Sequence, residues 1–420
     1  MQADLGPVLK AAYPKVVATL TRVLGDMDQA MDATQDALVK ALQSWPKSGV
    51  PDSPVAWLVT VGRNRGIDHI RRSQRVVGLD NVVSFPGEAP DSDALSVAVA
   101  DELSLTELDD DMLRLMFTCC HPILSSSQQI TLMMKVVLGF SVDEIARSLL
   151  TSRASIEKRI TRSKNALKQA GVEYAVPRGI DIGARLDAVL QAVYLLFNEG
   201  YTRLQNGEED QRLARNALVN EAIRLARMVC RLLRRNPEPR ALLALMLLSA
   251  ARLPARMNAQ GWLVPLAEQD RSLWDQNMSR EGIALVDAVF AARHPPSAYQ
   301  IQAAISALHN RADSSANTDW QQIVGLYSKL REYDPSPVVP VNEAVAMCMA
   351  GQPEAAYTQL RSCQEEQALT EYQPYYAALA YVAEQCTDQE AARAYYRKAI
   401  DLAQSAAQKA YLNARLERLG

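Results

Sequence analysis

Five arginines stand between residues 63 and 75, namely Arg63, Arg65, Arg71, Arg72 and Arg75, against the single acid Asp68. In a helix successive side chains stand about 100° apart. On that spacing Val55, Leu58, Val59, Gly62, Gly66, Ile67 and Ile70 share one face. Arg65, Arg71, Arg72 and Arg75 fall on the other, beside Trp57, Asn64 and Asp68. Guanidiniums neutralise phosphates and an aromatic ring offers a base a stacking surface, so such a face suits nucleic acid. A solvated face with a half-buried tryptophan is the plainer reading of the same residues.

A second segment carries a sharper local pattern. Ser141-Val142-Asp143-Glu144 is a capping box, in which the serine and the glutamate each satisfy a free backbone N–H at a helix start. Ile145, Ala146 and Leu149 follow as a short apolar face, a turn is expected at residues 150–152, and Ser152 can cap a second helix. Ile156, Ile160, Ser163 and Leu167 form the buried side of that helix. Arg153, Ser155, Glu157, Lys158, Arg159 and Arg162 face outward near its start. Two short helices with a tight turn, the second basic at its beginning, describe a helix-turn-helix. Arginines there can bridge guanine edges in a major groove while lysines hold phosphates.

Other chemistry is sparse. Cys119-Cys120-His121 invites a metal, but neighbours on a helix diverge, and no second Cys/His pair is near in sequence to complete a tetrahedral zinc site. Core packing is the expectation there, with no metal and no cofactor. No glycine-rich phosphate loop or nucleophile elbow occurs, and His69, His294 and His309 lie in unrelated segments, so no enzyme is expected.

The elements that must position these residues are helices. The 420-residue chain is 48% hydrophobic and 22% charged, the balance of an ordinary globular protein, and too long for one core. Strand-like alternation with hairpin turns is missing, so the expected fold class is all-α. The net charge of −3 says little about nucleic acid, because the positive charge is clustered. Six unpaired cysteines fit a reducing cytoplasm. No signal peptide is expected at the start, and the apolar run from Ala241 to Ala251 is too short to span a bilayer.

The expected domains are 5–77, a helical bundle; 78–104, an acidic linker broken by Gly78, Pro86, Gly87 and Pro90; 105–172, carrying the helix-turn-helix; 180–335, a helical extension; and 336–420, a repeat region. In the last, Ala344, Ala356, Leu360 and Cys363 recur 36 positions later as Ala380, Ala392, Tyr396 and Ala399. Small residues let helices approach and the larger one fills the groove, a spacing that resembles tetratricopeptide repeats. Upstream, Met31, Leu38, Leu42 and Trp45, with Thr34 and Ala41, form an apolar stripe opposite Asp28, Asp32, Gln35, Asp36 and Lys40.

In this order the segments resemble the extracytoplasmic-function RNA polymerase sigma factors. Asp32-Ala33-Thr34-Gln35-Asp36-Ala37 looks like the core-binding helix of their region 2. Trp57 to Arg65, with Asp68 and Arg71-Arg72, looks like the promoter-melting helix, and Ser141 to Leu167 is similar to region 4. The stretches Cys119-Cys120-His121-Pro122, Phe197-Asn198-Glu199-Gly200-Tyr201, Glu268-Gln269-Asp270-Arg271 and Pro337-Val338-Val339 resemble the subgroup that lacks a dedicated anti-sigma factor and carries a C-terminal tetratricopeptide-bearing extension. Gly351-Gln352-Pro353-Glu354 stands where that subgroup often has a longer glycine-rich stretch.

The resemblance implies core RNA polymerase and promoter DNA as partners, with an unknown protein or ligand at the repeats and no membrane. Asp32, Gln35 and Asp36 would meet the clamp of the β′ subunit. Lys47, Trp57, Arg63, Asn64, Arg65, Asp68, Arg71, Arg72 and Arg75 would serve the −10 element, with bases captured by the loop Ser44 to Ser53 and the helix after it. Region 4 would sit on the β flap and read the −35 element through Arg153, Ser155, Glu157, Lys158, Arg159 and Arg162. Two other readings stay open: a one-component helix-turn-helix regulator with a repeat-based interaction domain, and a repeat scaffold with an incidental basic front end.

Overall fold

The computed structural model describes residues 5–77, 105–149, 151–175, 181–202, 209–258, 262–292, 295–403 and 405–419. The acidic linker 78–104 lies outside the described residues. The fold is all-α. One isolated antiparallel bridge, Met257 with Leu263, supplies the extended pairing among the described residues. The chain divides into two compact units, residues 1–195 and 196–420.

The first unit opens with α1 (Gly6–Leu24), α2 (Met27–Ser48) and α3 (Pro54–Val77). Gly25 ends α1 in the left-handed conformation, φ 73°, and its N–H reaches the Thr21 carbonyl. Asp26 then caps α2, its carboxylate accepting from the N–H groups of Asp28 and Gln29. The three helices close on Leu9, Ala12, Val16, Leu20, Ala30, Ala33, Ala37, Ala41, Trp45, Leu58 and Val59.

The α2 stripe departs from the sequence expectation at Leu42. Alanines 30, 33, 37 and 41 face the core with Met31, Thr34 and Trp45, whereas Leu42 is 53% exposed and Val39 51%. The buried side is lined with small residues because α3 lies close, and its own glycines make the approach possible. A Cβ added to Gly62 would stand 2.6 Å from Leu20 Cδ1 and 3.2 Å from the Ala33 carbonyl oxygen, and one on Gly66 would stand 2.6 Å from Leu24 Cδ1.

The loop expected from Ser44 begins only at Gly49. Trp45 anchors the last turns of α2 in the core, and Pro46 is accommodated within them. Ser44 and Ser48 donate back to the carbonyls of Lys40 and Ser44, at 2.9 and 3.1 Å.

The rest of the unit comprises α4 (Leu105–Cys119), α5 (Ser126–Leu132), which widens into a π-helical turn over Met133–Val137, α6 (Val142–Ser148) and α7 (Arg153–Gln169). Cys119 and Cys120 are fully buried at the end of α4, and burial pushes the Cys119 thiol up to about 12. Gln129 donates to the carbonyls of Cys120, His121 and Leu124, which closes that turn. α4 packs on α1. Where they meet, Asp111, without solvent exposure, is paired with Arg22 at 2.9 Å and Arg114 at 2.8 Å.

α8 (Asp181–Thr202) crosses the division between the units. In the second unit follow α9 (Glu209–Leu232), α10 (Glu238–Ala250), α11 (Gln276–Ala291), α12 (Ala298–Arg311), α13 (Trp320–Leu330), α14 (Val338–Met349), α15 (Pro353–Ser362), α16 (Gln373–Gln385), α17 (Gln389–Leu402) and α18 (Ala406–Glu417). Most pack on their chain neighbours, and α12 packs most extensively on α10. The run from Ala241 is part of α10, buried on nearly every side, and no described helix is long and apolar enough to cross a membrane.

All eight positions of the 36-residue repeat are buried, four in the pair α14–α15 and its end and four in α16–α17. Gly351, at φ 83°, makes the turn that lets α15 fold back on α14, with Pro353 in the first turn of the returning helix. Gly351-Gln352-Pro353-Glu354 is therefore turn and helix-start chemistry. Tyr375 ties the two pairs together by donating to the Leu360 carbonyl at 2.9 Å.

Alanine has a helix propensity about 1 kcal/mol better than glycine, yet overpacking a tight contact costs about 1–3 kcal/mol. Gly62→Ala should therefore loosen α3, Gly66→Ala should do so less because only the flexible end of Leu24 must yield, and Gly325→Ala, with open space around it on α13, should stabilise its helix by about 0.5–1 kcal/mol. Hydrogen exchange resolved to α3 and α13 checks all three. Equal protection in the Gly62 and Gly325 variants would contradict the close-approach account.

Candidate nucleic-acid interface

The basic face of α3 is present as a surface. Arg63, Asn64, Arg65 and Asp68 are exposed on it, and Lys47 is exposed at the end of α2. The backbone of α3 continues as helix beneath Arg71, Arg72 and Arg75, whose side chains lie outside the described residues. Trp57 is half-buried and sets its ring edge-on to Trp45, centroids 5.4 Å apart and planes at 64°. The pair joins the start of α3 to the end of α2.

A second surface, on α2, is acidic. Asp28, Asp32, Gln35 and Asp36 are exposed on α2. At 100° per residue Asp28, Asp32, Gln35, Val39 and Leu42 lie along one strip, with Asp36 beside it. Val39 and Leu42 were not legible as surface in the sequence, where leucine at helical spacing reads as core. The signal lay in the alanines, which mark the face that must be close to a neighbour.

The helix-turn-helix forms as its caps dictate. Ser141 Oγ accepts from the Glu144 N–H at 3.2 Å, and Glu144 Oε2 accepts from the Ser141 N–H at 2.7 Å. Burial pushes the Glu144 carboxyl up, but the hydrogen bonds from Ser141 outweigh it and hold the group below the usual carboxylate range. Ser152 caps α7 by accepting from the Ser155 N–H. Ile156, Ile160, Ser163 and Leu167 are buried.

The outward residues of α7 fall into three sets. Lys158 and Arg162 are exposed and Ser155 is half-buried. Arg153 and Glu157 pair with each other at 2.9 Å, and Arg153 also meets Asp143 of α6 at 2.9 Å. Arg159 is half-buried and donates to Thr131 Oγ1 of α5 at 3.2 Å. Exposed pairs such as those of Arg153 exchange readily for phosphate, while Arg159 is spent on holding α7 to α5.

Comparison with known proteins bears on this arrangement. The family described as Sigma-70 region 2 matches residues 8–76, which hold α1 to α3, and that described as Sigma-70, region 4 matches residues 114–167, from α4 to α7. The chain belongs to the sigma-70 family. Its first 195 residues thus contain the two sigma regions, and the two basic faces lie one in each. A family of unknown function, DUF6596, matches residues 185–290.

Among relatives, an uncharacterized protein of Rhizobium meliloti (strain 1021) is 40% identical over 98% of this chain and 95% of its own length, so the two share one family from end to end. The ECF RNA polymerase sigma factor SigK of Mycobacterium sp. (strain KMS) is 27% identical over 37% of this chain and 76% of its own length, and SigK of strain JLS matches equally. Sigma-70 regions bind core RNA polymerase and promoter DNA and are not enzymes.

Away from the sigma regions, the second unit carries a groove of about 780 Å³ lined by Arg331, Asp334, Pro337, Gln359, Cys363 and Glu366. Gln359 and Arg331 both reach the buried Glu343 beneath it, at 3.1 and 3.4 Å. In the stretch Glu268-Gln269-Asp270-Arg271, Arg271 is buried and donates to the carbonyls of His309 and Ala312 and to Thr318 Oγ1. Its task is to hold α12 to the turn before α13.

Loss of the Ser141 cap should weaken α6 by about 1 kcal/mol at neutral pH. The folded carboxyl of Glu144 is depressed, so its contribution is present above the unfolded value near 4.5 and lost as pH falls through the folded one. The penalty of Ser141→Ala should therefore shrink below about pH 4. Exchange of the α6 amides at pH 7 and at pH 3 measures it, and a pH-independent penalty would remove Glu144 from the cap.

Proposed function

We propose that this chain is a sigma factor of the extracytoplasmic-function type, acting in the cytoplasm, whose C-terminal extension controls its use of promoters. The observation that carries the reading is the pairing of two different surfaces within region 2. An exposed strip of Asp32, Gln35 and Asp36 with Val39 and Leu42 lies on α2, and a basic face with half-buried Trp57 lies on α3. A regulator that only binds duplex DNA has no task for the first. A mixed acidic and apolar strip suits a helical partner with basic side chains, and the β′ clamp is the partner that a sigma factor requires.

In this reading Lys47, Trp57, Arg63, Asn64, Arg65, Asp68, Arg71, Arg72 and Arg75 serve the −10 element. The turn at residues 49–53, beside the Trp45–Trp57 pair, borders the place where an unstacked base would sit. Lys158, Arg162 and Ser155 read the −35 element, and Arg153 and Glu157 join them once phosphate replaces their mutual pair. Region 4 also rests on the β flap. The segment 78–104 connects the two regions, and residues 105–172 and 5–77 act as separable readers.

Residues 180–335 and 336–420 form the controlling extension. The stacked helix pairs with buried small residues at a 36-residue period are of tetratricopeptide type, and their groove at Arg331, Gln359 and Glu366 takes a protein segment or small ligand. The breadth of the Rhizobium relative's match supports treating the extension as part of one functional chain.

Transcription in vitro with purified core polymerase tests the reading. The full chain should direct initiation at a discrete start site in the DNA upstream of its own coding sequence. Asp32→Ala with Asp36→Ala should weaken core binding about tenfold, the loss of about 1.4 kcal/mol. Lys158→Ala and Arg162→Ala should weaken binding to −35 duplex and each lower the salt slope by about 1 if the contact is to phosphate. Site-specific DNA binding without core-dependent initiation would establish the one-component regulator instead.

A further inference from the structure

In the second unit, the segment between α10 and α11 gathers positive charge against α12. Arg252 and Arg256 follow the end of α10, and Arg271 stands shortly before Trp274 and α11. Arg252 and Arg271 both lie over the Trp274 ring, 5.8 and 5.1 Å from its centre. Arg256 lies over the Tyr201 ring at 4.1 Å and donates to the Tyr201 carbonyl at 3.0 Å. Arg271 donates to the carbonyl of His309 on α12, whose ring stands edge-on to Trp320 of α13, centroids 5.2 Å apart. Among the described residues no carboxylate forms an ion pair with any of these three arginines. The acid that draws Arg271 is Asp313, which is exposed.

Polar atoms of the same cluster are orphaned. Arg252 Nε, Trp274 Nε1 and His309 Nδ1 are buried and make no hydrogen bond. Trp274 is 4% exposed and His309 7%. Indole and guanidinium N–H groups only donate, and an imidazole nitrogen can donate. One orphaned acceptor, Gln269 Oε1, stands on the same segment, its amide nitrogen donating to the Val264 carbonyl at 3.0 Å. Burial, and after it Arg252 and Arg271, pushes the His309 imidazole down to about 3. Burial likewise pushes the Arg256 guanidinium down.

Like charges drawn together out of water are costly, and protein interiors pair them with an opposite charge. The cluster has donors and positive charge in excess, so the group that complements it carries acceptors and negative charge. Guanidiniums match the oxygens of phosphate and carboxylate, and the indole and imidazole N–H groups complete such a cradle. Three guanidiniums favour a dianion over a monoanion, because each added charge is attracted by all three and water screens them little. Arg252 is half-buried, which gives the cluster a side open to solvent. Arg271 is pinned behind it by the carbonyls of His309 and Ala312 and by Thr318 Oγ1.

We propose that Arg252, Trp274 and His309 bind a phosphate dianion, free or as the end of a small phosphate ester, with Arg256 and Arg271 adding to the positive field. The site is separate from the groove at Arg331, Gln359 and Glu366, and it needs nothing from the sigma regions. A bound phosphate accepts from the end of α10, from the residue that leads into α11 and from α12. Those three elements are thereby stabilised together, by an amount that follows the phosphate concentration relative to its Kd. The extension becomes a receiver for a small anion.

Calorimetry of the full chain with inorganic phosphate, glycerol phosphate and acetate at constant ionic strength tests the site. One phosphate group should bind per chain, roughly tenfold or more tighter than acetate. The tighter of the first two ligands shows whether the free ion or an ester is the better fit. Arg252→Gln should weaken binding roughly tenfold or more, while Arg361→Gln, exposed on α15, should leave it unchanged. Should the Arg252 variant unfold, the natural chain supplies a second measurement through its four histidines. An adjacent anion favours the imidazolium, so saturating phosphate should move the His309 titration, followed by NMR, up by about one pH unit or more against Arg252 and Arg271, which hold it neutral. Absence of saturable phosphate binding, acetate binding as tightly, or equal losses in the two arginine variants would overturn the proposal. A His309 titration that phosphate does not move would overturn it equally.

Discussion

A carboxylate removed from water is tolerable only if charges and donors replace the water, and the first unit is arranged around that requirement at Asp111. Arg22 arrives from α1 and Arg114 from α4 itself, while Tyr174 reaches the adjacent backbone. Burial, with Asp111 as the largest neighbouring charge, pushes the Tyr174 hydroxyl well above its ordinary value, so it stays protonated and remains a donor. Replacing such a cluster with apolar groups often costs nothing, whereas removing one partner strands a charge. The cluster therefore acts less as glue than as a key: only one placement of α4 and of the segment beyond α7 against α1 satisfies it.

The same logic of close fit governs α3, with packing in place of charge. A helix that presents arginines and tryptophan to a nucleic acid must not twist when loaded. Gly62 and Gly66 would weaken it by propensity, but they let α3 sink onto Leu20, Leu24 and the backbone of α2. The rigidity that the glycines withdraw locally is returned by contact along the helix. The alanines of α2 are the matching half of that interface, which is why Val39 and Leu42 are displaced to the surface.

Local signals were legible in the sequence and distant ones were not. The capping box at Ser141, the cap at Ser152 and the buried series Ile156, Ile160, Ser163 and Leu167 involve partners within a few residues, and each formed as its spacing requires. The α2 stripe holds at Met31, Thr34, Leu38, Ala41 and Trp45 and fails at Leu42, where leucine was weighed above the alanines that mark the closer neighbour. The engagement of Arg159 with Thr131 spans 28 positions, that of Arg22 with Asp111 spans 89, and that of Lys164 with Asp28 spans 136. No periodicity encodes such pairs. Asp111 closes the run Asp109-Asp110-Asp111 before Met112 and Leu113, and nothing in that run says which aspartate is buried or which partner it meets.

The second unit answers a different demand. Helix pairs that each contact only their neighbours gain stability by propagation, so every junction must repeat the same fit. Ala344 and Ala380 admit the returning helix, and Leu360 and Tyr396 fill the space that the alanines leave. Gly351 supplies the positive φ that the turn of the first pair requires, and in the second pair Thr387 takes a φ of 60° at the corresponding turn. A threonine in that region is strained, and persists only where its surroundings over-determine it. The caps on either side do so: Asp388 accepts from the Ala391 N–H, and Tyr396 is fixed to Glu384, which Arg415 of α18 holds in turn. The second pair is thus braced by α18, which packs on α17 and holds Glu384 through Arg415.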